Sequence, residues 1–214
     1  SPSFLPWAGY FSLINMVDTF VIYDDVQFDK RSWQQRNKIK TMSGSQWLSV
    51  SVDSKGKYNQ KINEVAISQE FHDCKMHIRA LYLNYSKAPF FKDYSDVIFE
   101  CLEDNTSMLS ELNISLILLI CQILGIHTNF IRSRDLGVSG KQEERLINIC
   151  KYLSGTDYIS PQGSKAYLGE SDNFCTSGIN LVYQVFDHPE YSQIGGDFIP
   201  YMSILDMLFN CGST

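Results

Sequence analysis

The second half of the chain constrains the fold most. From His127 onward, β-rich runs alternate with helical periodicity at short spacing. "HTNFIR" reads as a strand, "KQEERLINICKYLSG" as a helix, "TDYIS" as a strand and "GSKAYL" as a short helix. "INLVYQVF" reads as a strand and "SILDMLFNCG" as a closing helix. In the first of these helices, Leu146, Ile149, Cys150 and Leu153 share one face. Glu143 and Glu144 come early, Lys151 late, and Gly155 reads as the stop. Strand, helix, strand, helix, strand is the pattern of a parallel α/β fold. Right-handed crossovers put the loops that follow each strand on one sheet edge, where ligands of open sheets collect.

The first half adds "PWAGYFSLINMVD", a short helix with Pro6 in its first turn. "TFVIY" (19–23) reads as a buried strand, and "QWLSVSV" (46–52) and "INEVAI" (62–67) as half-exposed strands. Three helices follow. One carries Phe71, Cys74, Ile78, Leu81 and Tyr85 on a stripe, and the next Tyr94, Val97, Ile98 and Cys101. The third, "LSELNISLILLICQIL", is apolar nearly all round, which means burial on most sides, with Gly125 as its stop. The expected fold is therefore α/β: a mostly parallel Rossmann-like sheet flanked by helices, with a helical insertion at about 70–124, in a single domain over 1–214.

Bulk properties remove several function classes. A net charge of −6 argues against generic binding to nucleic acid or anionic membrane. The longest apolar block, 114–124, is too short to span a bilayer, so no integral membrane segment is expected. "SPSFLPW" has neither a basic n-region nor an apolar h-region, and a cytoplasmic location is expected. Cys74, Cys101, Cys121, Cys150, Cys175 and Cys211 form no C-x-x-C pair and read as free thiols. His72, His77, His127 and His188 are scattered, so no metal site is expected. The dinucleotide G-x-G-x-x-G, the G-x-S-x-G elbow and the P-loop are absent; the cofactor stays open, with no nicotinamide, flavin or zinc signature.

Against this acidic background, "YDDVQFDKRSWQQRNKIK" (23–40) is anomalous. Eight of the chain's 18 bases fall between Lys30 and Lys61, against one acid, Asp53. The stretch follows the carboxyl end of a predicted strand. Lys30, Arg31, Arg36 and Lys38 suit an anionic small molecule, most simply a phosphate or nucleotide diphosphate. Phe28 and Trp33 are placed to stack on a base or sugar face. Asp24 and Asp25 point to opposite sides of an extended chain and do different jobs, one as base, metal ligand or Arg partner, the other as turn cap or partner of a nearby Lys. The other reading is a solvated basic loop.

Two further regions carry candidates. In "FLPWAGYF" (4–11), Pro6 marks a strand-to-helix turn and Gly9 permits close backbone approach. This placement is similar to the nucleotidylyl-transferase loop that carries H-x-G-H, but here the positions read Trp7, Ala8, Gly9 and Tyr10, without either histidine. At the other end, Ser160 and Ser164 follow a strand, and His188 is the best-placed histidine for acid–base work. Asp206 sits among Leu205, Met207 and Leu208, where a buried partner such as an Arg is expected. Cys211 has no base beside it and is not expected to be a catalytic thiol.

Taken together, "PSFLPWAGYFSLINMVDTFVIYDDVQFDKRSWQQRNKIKT" resembles the opening of the WbqC-like family. The resemblance continues through "WLSVSV", "KGKYNQKINEVAI", "NYSKAPFFKDY", "RLINICKYLSGTDYIS", "HPEY" and "SILDMLFNCG". "SPQGSKAYL" departs from the family pattern around Pro161–Gly163, and the Gln that often precedes the opening proline is missing. The resemblance implies O-antigen or other surface-polysaccharide biosynthesis, and a transferase that N-acylates an amino sugar with glycine or a similar group. The alternatives are a non-catalytic sugar-nucleotide binder of that pathway and, on the similarity to the nucleotidylyl-transferase loop, an ATP-using ligase. The residues themselves supply the candidates within that frame: the candidate catalytic residues are Asp24, Asp25 and His188. The candidate substrate contacts are Pro6, Trp7, Gly9, Tyr10, Gln27, Lys30, Arg31, Trp33, Arg36, Asn37, Lys38, Ser160, Asp206 and Asn210. The expected partner is an anionic small molecule, a nucleotide-linked amino sugar.

Overall fold

The computed structural model is described over residues 1–68, 74–104, 106–168 and 172–213, leaving aside the Tyr167 side chain. It is mixed α/β, opens with helix α1 (Ala8–Asn15) and separates into two compact units. One comprises Ser1–Phe11, Asp24–His127 and His188–Thr214; the other comprises Ser12–Tyr23 and Thr128–Asp187.

The first unit is built on helices α2 (Lys75–Tyr85), α3 (Phe91–Glu103), α4 (Leu109–Ile123) and α8 (Ile204–Cys211), with a hairpin of β2 (Arg36–Thr41) and β3 (Gly44–Ser49). Helix α4 is buried on most sides, as its apolar composition requires: Leu109, Leu112, Leu116, Ile117 and Ile120 are all inside. It ends in a Schellman turn. Ile126 N–H reaches the Cys121 carbonyl at 2.9 Å and Gly125 N–H the Gln122 carbonyl at 3.2 Å, with Gly125 at φ +66°. The buried stripe of α3 is Phe91, Ser95, Ile98 and Leu102, so the predicted stripe is one position out of phase; Val97 is 42% exposed. The reason is Phe91, whose ring packs on Phe209 at 5.0 Å and sets which face turns inward. Tyr85 joins the same group, 5.4 Å from Phe209. Burying an aromatic ring of this kind stabilises by roughly 1.5–3 kcal/mol. The predicted start of α2 at Phe71 lies outside the described residues, as does His72.

In the second unit, β1 (Thr19–Ile22) pairs in parallel with β4 (Asn129–Arg132), and β5 (Asp157–Ser160) pairs in parallel with β6 (Asn180–Tyr183). Helix α5 (Gln142–Tyr152) precedes β5, and two short helices, α6 (Lys165–Leu168) and α7 (Asn173–Thr176), link β5 to β6. Ile147, Leu168, Phe174 and Ile179 form the core beside this parallel pair. Tyr158 stacks on Phe174 at 5.2 Å. Helix α5 closes with Gly155 N–H on the Cys150 carbonyl and Ser154 N–H on the Lys151 carbonyl. The left-handed position here is Ser154 (φ +55°), not the predicted stop Gly155.

The parallel elements and their alternation with helices agree with expectation. A continuous Rossmann-like sheet does not: the described strands form three separate two-stranded sheets. "INEVAI" is no strand. It makes a 3₁₀ turn at Ile62–Glu64 because Ile62 and Asn63 donate to the Val26 and Asp24 carbonyls (both 2.9 Å), leaving only single bridges such as Ala66 to Met108. The basic stretch, whose alternative reading is a solvated loop, contains β2. All six cysteines are free.

Candidate functional site

The period of β2 organises the basic segment. In "RNKIK", successive side chains alternate faces, so Arg36, Lys38 and Lys40 share one side while Asn37 and Ile39 share the other. The hairpin register pairs Lys38 with Trp47. The Arg36 guanidinium carbon lies 4.2 Å and the Lys38 Nζ 5.0 Å from the Trp47 ring centroid. Trp33 meets Trp47 at 5.3 Å with a 41° tilt. Both indoles are open to solvent, at 51% and 39% exposure. Among the described residues, Arg36 and Lys38 have no carboxylate partner, and the buried Arg36 Nε has no hydrogen-bond partner. Arg36, Lys38 and Trp33 are thus together; Trp47 is the member that the sequence reading did not single out.

Lys40 ends this face differently. It is 2% exposed, and its Nζ donates to the Gly196 carbonyl at 3.0 Å. Its backbone N–H donates to the Tyr85 hydroxyl, which in turn donates to Asp206 Oδ1, both at 2.8 Å. Asp206 Oδ2 accepts from the Tyr191 hydroxyl at 2.7 Å and from Gln193 Nε2 at 2.6 Å. Asp206 is fully buried at the first turn of α8, below the Ser203 cap. Burial pushes its carboxyl up; the hydrogen bonds from Tyr191, Tyr85 and Gln193, then Lys40, oppose that. Burial likewise pushes the Tyr85 and Tyr191 phenols up, with the Asp206 charge adding to it. The expected Arg partner of Asp206 is therefore replaced by two tyrosines and a glutamine. Asn210, one turn on, donates to the Asp206 carbonyl (2.7 Å) and accepts from Ile194 N–H (3.0 Å). Asp206 and Asn210 hold the 191–199 segment from beneath.

His188 stacks on Trp7 (6.2 Å, 6°) and meets Tyr201 edge-on at 5.0 Å. Its Nδ1 lies 2.9 Å from the Pro189 carbonyl, which can only accept, and its Nε2 accepts from Tyr201 N–H at 3.2 Å. Both ring nitrogens are thus engaged with backbone. Gly9 does leave room for close approach, but the Trp7 indole takes it: a Cβ at Gly9 would overlap the ring. Leu5, in the left-handed region at φ +44°, is held by Asn37, whose Nδ2 donates to the Leu5 carbonyl at 2.7 Å and to the Phe4 carbonyl at 3.3 Å. Asn37 is 3% exposed, so its amide serves the backbone rather than an oxyanion. The Pro6 carbonyl accepts from Ile204 N–H at 2.8 Å, and the Tyr10 hydroxyl donates to the Ser1 carbonyl at 3.1 Å.

The remaining candidates lie as follows. Asp24 is fully buried and Asp25 half-buried. Gln27 is exposed and donates to the Tyr58 carbonyl at 3.1 Å. Lys30 and Arg31 are exposed, Arg31 at φ +62°. Phe28, expected to stack on a ligand, is instead a core residue at 8% exposure. Ser160 belongs to the second unit, where its hydroxyl meets that of Ser164 at 2.6 Å. Ser164 donates onward to the Pro161 carbonyl at 2.7 Å, so the pair closes the turn after β5. Among the described residues, no group of three or more His, Cys, Asp or Glu is placed to hold a metal ion. No helix there is long and apolar enough to cross a membrane.

The model of the WbqC-like protein family matches residues 1–214. The chain belongs to the WbqC-like family. A relative from Mycobacterium tuberculosis (strain ATCC 25618 / H37Rv), named "Uncharacterized protein Rv1507c", is 41% identical over 213 residues, covering 99% of this chain and 91% of that protein. No solved structure matches. In this WbqC-like protein, Tyr85, Tyr191 and Gln193 are the polar residues around Asp206 that sequence reasoning missed. Their relation to Asp206 is purely spatial. Trp47 did leave a signal, since "QWLS" faces "RNKIK" across "TMSG", a hairpin-like spacing.

Proposed function

We propose that this WbqC-like protein binds a nucleotide-linked amino sugar along Arg36, Lys38, Trp33 and Trp47. On this reading it is a cytoplasmic transferase that N-acylates the sugar amine with glycine or a similar group, for O-antigen-type surface polysaccharide. One observation carries the ligand class: two cations lie against an exposed indole pair and have no carboxylate partner among the described residues. An Arg fork and a Lys point charge suit a diphosphate, and the indoles offer faces for a base or sugar. The acyl transfer rests on the family resemblance alone. Amide formation would need a base for the amine and donors for the oxyanion. A second reading, a sugar-nucleotide binder without chemistry, is favoured by His188, whose two nitrogens are both engaged with backbone.

Thermal shift with UDP- and dTDP-linked amino sugars tests the binding. We expect stabilisation, and in Arg36→Ala a loss of about 1.5–3 kcal/mol of affinity, as for a charged hydrogen bond. No shift with any nucleotide sugar, or an unchanged affinity in Arg36→Ala, refutes the reading. Stabilisation by ATP alone would point to the ligase. Mass spectrometry of the sugar nucleotide after incubation with glycyl donors then separates transferase from binder: a glycyl mass gain supports the first, an unmodified sugar the second.

A further inference from the structure

The segment that Asp206 holds borders a shallow, solvent-open cavity of about 490 Å³, lined by Glu190, Tyr191, Ser192, Gln193, Gly196 and Phe198. That volume is within the range of small-molecule sites, roughly 300–1,000 Å³. Its frame is fixed before any ligand arrives. Gln193 binds Ile199 through both ends of its amide: Ile199 N–H donates to Oε1 at 2.8 Å, and Nε2 donates to the Ile199 carbonyl at 3.0 Å. Lys40 pins Gly196 through its carbonyl. Preorganisation of this kind lowers the ordering cost of binding.

The chemistry of the walls is one-sided. The lining holds one carboxylate, Glu190, and no Lys, Arg or His. Lys40 is turned into the protein, at 2% exposure. Glu190 is exposed and, among the described residues, has no ion-pair or hydrogen-bond partner. Beside it, Tyr191 and Phe198 stand edge to face at 5.1 Å and 79°, and His188 packs behind both, stacked on Tyr191 at 6.2 Å and tilted against Phe198 at 5.8 Å. A carboxylate next to aromatic faces recognises an organic ammonium group, through a charge-assisted hydrogen bond and a cation–π contact. Ser192 adds a hydroxyl for a polar ring.

We infer that this cavity binds the protonated amine of a small hydroxylated ligand, with Glu190 as its counter-ion and Tyr191 and Phe198 as its aromatic wall; that the ligand is of the amino-sugar class rests on the function proposed above. The inference uses residues separate from the anion site, and its probe carries no phosphate, so the two readings fail independently. The test is NMR titration of the full chain with glucosamine at about pH 6, where an amine of the α-amino range is protonated. N-acetylglucosamine is the control that keeps the ring and removes the charge. We expect saturable shifts at residues 190–198, about tenfold weaker binding of N-acetylglucosamine, and a similar loss for glucosamine in Glu190→Gln, as for a lost charged hydrogen bond. Phe198→Leu, which keeps bulk and removes the ring, should weaken glucosamine severalfold. No saturable binding overturns the inference. So do affinities for the two sugars within about twofold of each other, an unchanged affinity in Glu190→Gln, or shifts that map elsewhere.

Discussion

Replacing Asp206 by Asn tests whether the buried carboxylate holds the 191–199 segment. The substitution keeps shape and removes charge. Oδ1 still accepts from Tyr85, whose hydroxyl lies 2.8 Å away. In place of Oδ2, however, an amide donor would face Gln193 Nε2 and the Tyr191 hydroxyl, at 2.6 and 2.7 Å. Tyr191 can rotate and accept. Gln193 cannot, because its Oε1 is bound to Ile199. A buried donor left with only the long 3.3 Å contact to the Tyr191 hydroxyl costs about 1–3 kcal/mol at most, and the lost charge assistance adds to it. Relief from burying a carboxylate returns part of this. The net expectation is about 2 kcal/mol of destabilisation, or a fall in Tm of about 4–8 °C for a chain of this size. Hydrogen exchange should quicken first at Ile194 and Ile199, whose amides bind Asn210 and Gln193. The pH response gives a second readout. The Asp206 pKa is raised by burial, so the folded state holds its proton more tightly than the unfolded chain. Wild-type stability from this group is therefore greatest below the unfolded value of about 3.9 and falls as pH rises towards the folded value, then levels. Asp206→Asn should lack that decline. A Tm within about 1 °C of wild type, unchanged exchange and the same pH slope would refute the assignment.

Two further substitutions test the backbone argument. Gly9→Ala places a methyl where the Trp7 indole lies. It should cost about 1–3 kcal/mol, as overpacking does, and shift tryptophan fluorescence; a silent substitution would mean the ring moves freely. Ser154→Gly relieves the left-handed position at φ +55° that ends α5 and should raise stability by about 0.5–1 kcal/mol in chemical denaturation, whereas a loss would show that the Ser154 side chain contributes there.

Much of this molecule is legible in its sequence where the signal is local. The apolar run of α4, the parallel β5 and β6 with helices between them, and the basic stretch itself can all be read from residues within a few positions of one another. What fails is the sheet as a whole. Strand β1 pairs with β4 although all of 24–127 lies between them, and no period in either run states the partner. The phase of α3 fails for the same reason, because the ring that decides it packs on Phe209.

The candidate site divides along the same line. The bases of "RNKIK" look equivalent in a charge count, yet one period of two sorts them. Arg36 and Lys38 face an exposed indole, Lys40 is drawn inside, and the intervening Asn37 clamps Leu5. Lys40 differs from Lys38 only through what lies above it, and that is fixed 156 residues away at Gly196. The carboxylate near it, Asp206, takes its first hydrogen bond from Tyr85, 121 residues earlier. Since the same strand that displays Arg36 and Lys38 to solvent also anchors the 191–199 segment through Lys40, one hairpin supports both the cationic face and the acidic cavity.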